Sequence, residues 1–437
     1  MGRSSASAYK VCDLAIVGAG AAGLAAATFA GATARNTGLR IVLIESANKP
    51  GAKILVSGGG RCNVTNAVVT EKDYWGGSPH TVRKVLHAFG NQDAIDWFQR
   101  MGAPLKCEPS GKYFPKTDQA QTVLSGLLKR IHELGIELVT GYRVTELRLE
   151  KSGFVIGAQA VREGQHRIHT QRVIVATGGL ALPKSGSDGT GLSLMQQLGH
   201  TIIPPAPALT PLILKHGPTI GGRFAEFCGI TMEARLRLCC GEGTRPLIEL
   251  DGSLVFTQFG ISGPVAMNLS RHWLRAKLDH PETPFRVLLG VPALKTVAQA
   301  DAWLKSAARA HPRRLVATTL EELLPSRIAH ALVSEVGAGL VFARLSRDHR
   351  RWLAEQLVHM PLEVIGTRGY AYAEATAGGV DLHDVDWRTM ESRRVRGLHL
   401  CGEILDVDGR IGGFNFQWAW SSGYLAGRGA VEALTCA

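Results

Sequence analysis

The 437-residue sequence predicts an α/β fold in which one domain is discontinuous, assembled from both ends of the chain around an inserted middle. Three observations carry this. Near the amino terminus a buried apolar strand runs through a glycine-rich turn into an alanine-rich helix. A second strongly apolar strand, Gln171 to Ala176, returns after a set of helices and a hairpin. A third, Leu398 to Cys401, is again followed by a helix, and the stretch between the second and third has a different texture.

Val11 to Val17 reads as the first strand. It enters Gly18-Ala19-Gly20-Ala21-Ala22-Gly23, a helix continues to about residue 35, and Ile41 to Ile44 forms a second strand ending in Glu45. Strand, GxGxxG, helix, strand and acid in this order are a Rossmann dinucleotide fingerprint. Gly18 allows the tight turn, Gly20 lets the backbone approach a pyrophosphate, and Gly23 lets helix and strand pack closely. The first helical turn, with Ala21 and Ala22, aims free N–H groups at the anion. Glu45 can accept both ribose hydroxyls of an adenosine.

Residues 51–66 are glycine-rich and polar, which predicts a long ordered loop. Gly58, Gly59 and Gly60 let the backbone pass flat against a cofactor. Lys53, Ser57, Gly59, Gly60 and Asn63 are candidate contacts, with Asn66 beside them. Arg61 offers a planar donor fork for phosphate or an acidic substrate, or braces the loop through carbonyls; both readings stand. Cys62 has no second cysteine nearby in sequence and reads as packing.

Helical periodicity covers residues 80–102 and about 118–134. Ile136 to Arg148 and Gly153 to Ala160 alternate as strands. Thr177-Gly178-Gly179 closes the second buried strand, making Thr177 and Gly178 candidates at the carboxyl edge of the sheet. Asp188 reads as a helix cap. Pro204, Pro205, Pro207 and Pro211 mark a boundary. Ile230 to Cys239, Arg245 to Leu250 and Gly252 to Thr257 are short strands, residues 285–354 are mostly helical and charged, and residues 374–380 are strand-like. The last helix begins near Asn415 and runs to about Ala433. The predicted domains are therefore 1–205 with 381–437, a β-rich insert of 206–280 with 355–380, and a helical insert of 281–354.

Hydrophobic residues make up 45% of the chain and glycine occurs 51 times, which excludes a disordered or fibrous protein. Eight scattered cysteines form no CxxC pair, so neither zinc nor a disulfide framework is expected, and the pattern fits the reducing cytoplasm. No run of eighteen apolar residues predicts a membrane span, and residues 1–10 are too short and polar for a signal peptide. The formal charge is +12. Its arginines cluster in residues 305–354 without interleaved aromatics, so nucleic acid is not an expected partner and a small-molecule substrate is.

Taken in order, GAGAAG at 18–23, KILVSGGGRCNVTN at 53–66, GKYFP at 111–115, ATGG at 176–179, FTQFGISGP at 256–264, TAGGV at 376–380, TMES at 389–392 and CGEILDVDGRIGGFNFQWAWSSG at 401–423 span nearly the whole chain. In them the chain resembles the HI0933-like or BaiN-like flavoproteins. Phe414 stands where relatives commonly carry tyrosine. The resemblance implies a discontinuous FAD-binding domain of the glutathione-reductase type, an inserted β-barrel-like domain and a small helical domain. It implies FAD as cofactor, with NAD(P)H as a transient electron donor. Gly402 and Glu403 would lie near the ribityl chain, with Asp406 and Asp408 as alternatives, and Gly412 and Gly413 would approach the flavin ring. The helix starting at Asn415 and Phe416 would aim its positive end at the N1–C2=O edge, where reduced flavin gathers negative charge. Gln417 could add a donor, and Trp418 and Trp420 read as packing.

The implied activity is that of an FAD-dependent oxidoreductase acting on a small organic acceptor. Oxidation of a small amine and flavin-dependent tRNA modification are the alternatives. A proton donor for enone reduction would come from Tyr113, Tyr370, Tyr372 or His383, and sequence does not choose among them.

Overall fold

The computed structural model describes residues 9–160, 164–241, 243 and 245–436; the polar tail read at residues 1–8 lies outside them. The chain forms two compact units, Met1–Ala206 with Glu374–Ala437, and Pro207–Ala373.

Among the described residues, the first unit is built on a sheet of nine strands. Its centre is parallel, in the order Leu398–Leu400, Gly164–Val175, Tyr9–Val17, Ile41–Glu45 and Glu137–Thr140. Ile41–Glu45 is buried throughout, as expected for a parallel strand covered on both faces. Val17 pairs with Ile44 on one side and Val175 on the other, so the fingerprint turn leaves the middle of the sheet. The hairpin Tyr142–Glu150 and Gly153–Ala160 adds antiparallel strands to Gly164–Val175.

The opening helix Ala21–Thr33 packs on the closing helix Phe414–Thr435. A β-carbon on Gly423 would lie 2.7 Å from the Ala22 carbonyl oxygen, and one on Gly427 would lie 2.3 Å from that of Ala26. Glycine is therefore what lets the two backbones meet. Phe29, Phe89, Trp97, Trp420 and Tyr424 form an aromatic cluster around this seam.

Two sequence expectations change here. Residues 51–66 are not wholly a loop, because Ala52–Gly60 begins as a helix that buries Ile54. The apolar run Ile54-Leu55-Val56 sustains the turn until Ser57 becomes extended and Gly58 and Gly59 become left-handed. The helix expected at 80–102 is two helices, Pro79–Ala88 and Asn91–Arg100, divided at Phe89-Gly90, where Asp93 accepts the Gly90 N–H at 2.8 Å.

The second unit holds a seven-stranded sheet in the order Met360–Leu362, Phe285–Gly290, Thr231–Cys240, Pro246–Thr257, Gly260–Ser262, Leu212–Leu214 and Val364–Thr367. The two stretches expected at 245–250 and 252–257 are one continuous strand. Helices Pro264–Asp279, Val297–Ala310, Val316–Leu320, Ser326–Ser334 and Arg347–His359 share the unit. A hydrophobic core joins Leu236 and Leu289 of the sheet to Leu304, Leu332 and Leu357 of the helices. The two edge strands are successive halves of one segment divided at Glu363, and among the described residues no ladder joins them to close a barrel. Among the described residues, no helix is long and apolar enough to cross a membrane.

Candidate functional site

The three fingerprint glycines have different surroundings. Gly18 has φ +100°, and a β-carbon there would lie 2.6 Å from the Ala176 carbonyl oxygen; one on Gly23 would lie 1.7 Å from that of Gly18. Both are demanded by packing. Gly20 caps the opening helix and has no atom within 4 Å of its β-carbon position. The first-turn N–H groups, including those of Ala21 and Ala22, lack intrahelical acceptors, and neither an acidic residue nor a side-chain cap covers them. Glu45 accepts the Ala19 N–H at 2.7 Å with one oxygen and the Ala47 N–H at 2.8 Å with the other. The carboxylate thus ties the turn to the end of the second strand, with lone pairs left for hydroxyl donors.

A second cluster joins four segments of the first unit. Lys53 Nζ lies 2.7 Å from one oxygen of Glu403. The Thr376 hydroxyl donates to the other oxygen at 2.8 Å and accepts the N–H groups of Leu180 and Ala181 at 2.8 and 3.0 Å. Thr376 is fully buried, and a β-carbon on Gly179 would lie 2.5 Å from its hydroxyl. Sequence reasoning missed Thr376 as a site residue, although TAGGV flagged its neighbourhood. Two residues earlier, Glu374 has its carboxyl raised by surrounding protein, against the pull of Lys112 and Lys53.

The glycine stretch is open at Gly59, with nothing within 4 Å of a β-carbon there, and nearly so at Gly60. The Ser57 hydroxyl donates to the Ile54 carbonyl at 2.9 Å. Arg61 braces the loop through carboxylates, not carbonyls: it donates to Glu108 at 2.6 Å, lies 3.6 Å from Asp118 and stacks over Phe114. Cys62 is buried, and burial pushes its thiol up to about 12, so it is inert packing. Among the described residues, Asn63 Oδ1 and Thr177 Oγ1 are buried polar atoms without hydrogen-bond partners. A β-carbon on Gly413 would lie 2.8 Å from that Asn63 oxygen, which brings the glycine stretch beside the start of the closing helix. Gly178 adopts φ +74° against the Ser187 hydroxyl.

At the carboxyl end Gly402 packs on Ala22, where a β-carbon would come within 2.5 Å. Gly413 caps the closing helix without a side-chain cap, so the N–H groups of Phe414, Asn415 and Phe416 lack intrahelical acceptors. The Asn415 side chain is already occupied: its amide donates to the Gly409 carbonyl at 2.9 Å and accepts the Gly409 N–H at 2.8 Å. Gln417 cannot add the expected donor to a flavin. It is fully buried, accepts the Thr65 hydroxyl and donates to the Phe89 carbonyl and the Ser421 hydroxyl. Trp418 and Trp420 are buried and donate to the carbonyls of Gly402 and Val64, which is packing. Asp188 is not the cap of Thr190–Gln197, which is Gly189; from one residue before it, its carboxylate accepts the Thr190 N–H and hydroxyl.

Tyr113 lies in the first unit, paired in register with Thr65. Tyr370 and Tyr372 belong to the second unit. His383 is largely exposed and bonded to Asp381. Among the described residues, no group of His, Cys, Asp and Glu could hold a metal ion. Two uncapped helix starts, open glycine faces, two orphaned buried polar atoms and a carboxylate at a strand end are what a bound flavin dinucleotide needs: donors for phosphate, close backbone approach, and an acceptor for ribose hydroxyls.

Residues 12–429 match the family described as "HI0933-like protein Rossmann domain". The chain is 34% identical to the "3-dehydro-bile acid delta(4,6)-reductase" of Clostridium scindens, over 95% of this chain and 98% of that one. It is 30% identical to the "Ribosomal RNA dihydrouridine synthase" of Escherichia coli, over 96% and 98%, and 30% to that of Haemophilus influenzae, over 94% and 96%. Among solved structures, the E. coli quinol fumarate reductase subunit FrdA shares the fold at 18% identity and a TM-score of 0.52, covering 98% of this chain and 71% of that one. The two ribosomal RNA relatives overturn the expectation that nucleic acid is an improbable partner. That expectation asked for basic residues interleaved with aromatics, whereas most contacts to a folded RNA go to its phosphates and need only dispersed cations.

Proposed function

From the chain's membership of the HI0933-like family of FAD-dependent oxidoreductases, we propose that it reduces a carbon–carbon double bond conjugated to a carbonyl. One observation carries this: relatives matched over nearly the whole chain bear different names that describe the same chemistry. A 3-oxo compound unsaturated at positions 4 and 6 is a conjugated dienone. Forming dihydrouridine saturates the uracil C5=C6 bond, which is conjugated to the C4 carbonyl. In both, a hydride adds to the carbon remote from the carbonyl and a proton to the adjacent carbon.

Bound FAD supplies the hydride, and NAD(P)H is the donor we propose for recharging it. The first-turn N–H groups at Ala21 and Ala22 would hold the pyrophosphate, with Gly20 permitting the approach, and Glu45 would hold the adenosine ribose. Asn63 and Thr177 would spend their free acceptors on cofactor donors. Glu403, fixed by Lys53 and Thr376, would face the ribityl chain. The main-chain N–H groups of Asn415 and Phe416 would stabilise negative charge at the pyrimidine edge. Within the second unit we infer a barrel-like sheet, because the edge strands are successive halves of residues 360–367, with residues 281–354 as its helical part apart from Phe285–Gly290, which is one of the sheet's strands. A cytoplasmic setting is proposed from eight free cysteines.

The net charge of +12 favours a polyanion, so we take a uracil ring in structured RNA as the substrate. A free steroid dienone is the second reading, favoured by the 34% relative. The test is anaerobic: the holoenzyme is reduced with NADPH, then mixed with a ribosomal RNA transcript or a 3-oxo-4,6-diene steroid. Return of the flavin's visible absorbance, with two hydrogens gained by the substrate in mass spectrometry, is expected for the RNA. Return with the steroid alone supports the second reading. Return with neither, together with bleaching of oxidised enzyme by small amines, overturns both.

A further inference from the structure

We propose that exposed arginines of the second unit form a phosphate-binding face for RNA, centred on a surface cavity at residues 311–314. This rests on the reading that the substrate is a uracil ring in RNA.

Helix Val297–Ala310 ends where the His311 N–H donates to the Ala307 carbonyl at 2.9 Å. The chain then turns through Pro312, Arg313 and Arg314. Residues 341–344 lie alongside: the Phe342 N–H donates to the Arg314 carbonyl at 3.2 Å, and the Ala343 N–H to the Pro312 carbonyl at 2.8 Å. Two residues beyond Arg344, Ser346 caps helix Arg347–His359, accepting the His349 N–H at 3.1 Å. That helix packs on Val297–Ala310 and is fixed there by Arg350 against Asp301 at 2.7 Å. These connections place Arg309, Arg313, Arg344 and Arg347 on adjoining segments, beside a surface cavity of about 560 Å³ lined by His311, Pro312, Arg313 and Arg314.

All four arginines are exposed, and among the described residues none of their side chains has an ion pair or hydrogen bond. Neighbouring arginines that serve the fold are paired, Arg314 with Glu322 at 2.9 Å and Arg350 with Asp301. Asp348 is the acid on the same turn as Arg347 and offsets only part of the charge. Four exposed guanidinium groups on adjoining segments, without carboxylate partners, concentrate positive charge on this face. Their planar forks match phosphate oxygens, and a phosphodiester backbone presents such oxygens in series.

The test measures fluorescence anisotropy of a labelled ribosomal RNA hairpin with FAD-loaded protein across a salt series. The triple variant Arg313→Glu, Arg344→Glu, Arg347→Glu should bind at least about tenfold more weakly and show a log–log salt slope shallower by about 2–3, three phosphate contacts being lost. Its flavin should still be reduced by NADPH at the wild-type rate. The Arg→Gln triple, milder for folding, should fall between. Equal RNA binding by wild type and both variants overturns the proposal. No RNA binding by wild type overturns the RNA reading itself. Preference of wild type for phosphatidylserine vesicles over the hairpin also overturns it, by assigning the face to a membrane.

Discussion

Gly18, Gly20 and Gly23 share one motif but answer to different forces. The first and last are held by backbone against backbone, and the middle one faces open space at a helix start. Gly20→Val should therefore fold with a melting temperature close to wild type and yet be purified without bound FAD, read from the visible spectrum; full occupancy would show that the pyrophosphate sits elsewhere. Thr376→Val keeps the shape but strips the N–H groups of Leu180 and Ala181 of their acceptor and Glu403 of a donor. It should cost about 2–3 kcal/mol, visible as a lower urea midpoint. Thiol titration with a disulfide reagent should find Cys107, Cys228, Cys240 and Cys436 in the native protein and Cys12, Cys62, Cys239 and Cys401 only after denaturation. At this scale sequence reveals which polar groups exist but not where they point. Asn415 and Gln417 look like cofactor ligands in the sequence, but their side chains are spent on Gly409, and on Thr65 and Phe89.

Elements were legible wherever burial is two-sided. Ile41–Glu45 and the ends of Tyr9–Val17 and Gly164–Val175 announce themselves as apolar runs, and the fingerprint glycine Gly20 marks the start of the opening helix. The first turn of Ala52–Gly60 was hidden because three glycines outweigh the helix formers Ala52, Lys53 and Leu55 in any composition-based reading, although Ile54 is buried by it. The divided helix at Phe89-Gly90 was hidden because apolar periodicity carries across the break. The pairing of the opening and closing helices was not legible either, since the glycines that permit it look like any helix-weakening glycine until the partner backbone is beside them. Gly427→Val pushes a branched side chain into the Ala26 carbonyl, which is backbone and cannot yield. It should lose about 2–3 kcal/mol of stability by urea unfolding, together with FAD retention.

Across the whole molecule each unit buries neutral histidine. In the first, His399 donates Nδ1–H to the Thr389 carbonyl and accepts from Arg172 at Nε2, an arrangement that requires an uncharged ring. Burial lowers it to about 4, and lowers His272 of the second unit to about 3, from an ordinary 6.5. The unfolded chain binds these protons first, so their contribution is whole above pH 6.5 and declines as pH falls toward 4. The slope is about 1.4 kcal/mol per pH unit for each histidine. His399→Gln should flatten the pH dependence of the urea midpoint over that range; an unchanged slope would mean the ring is already charged. The charge of +12 was visible in the sequence, but not which arginines the fold leaves without carboxylates, and that distribution decides what kind of partner the surface suits. The seam between the opening and closing helices also has a consequence for biosynthesis. Residues 423 and 427 leave the ribosome about 400 residues after residues 22 and 26, against whose backbone they lie. The amino-terminal half of the proposed cofactor cradle therefore waits, without its covering helix, through translation of the entire inserted unit, and is complete only once the closing helix has been made.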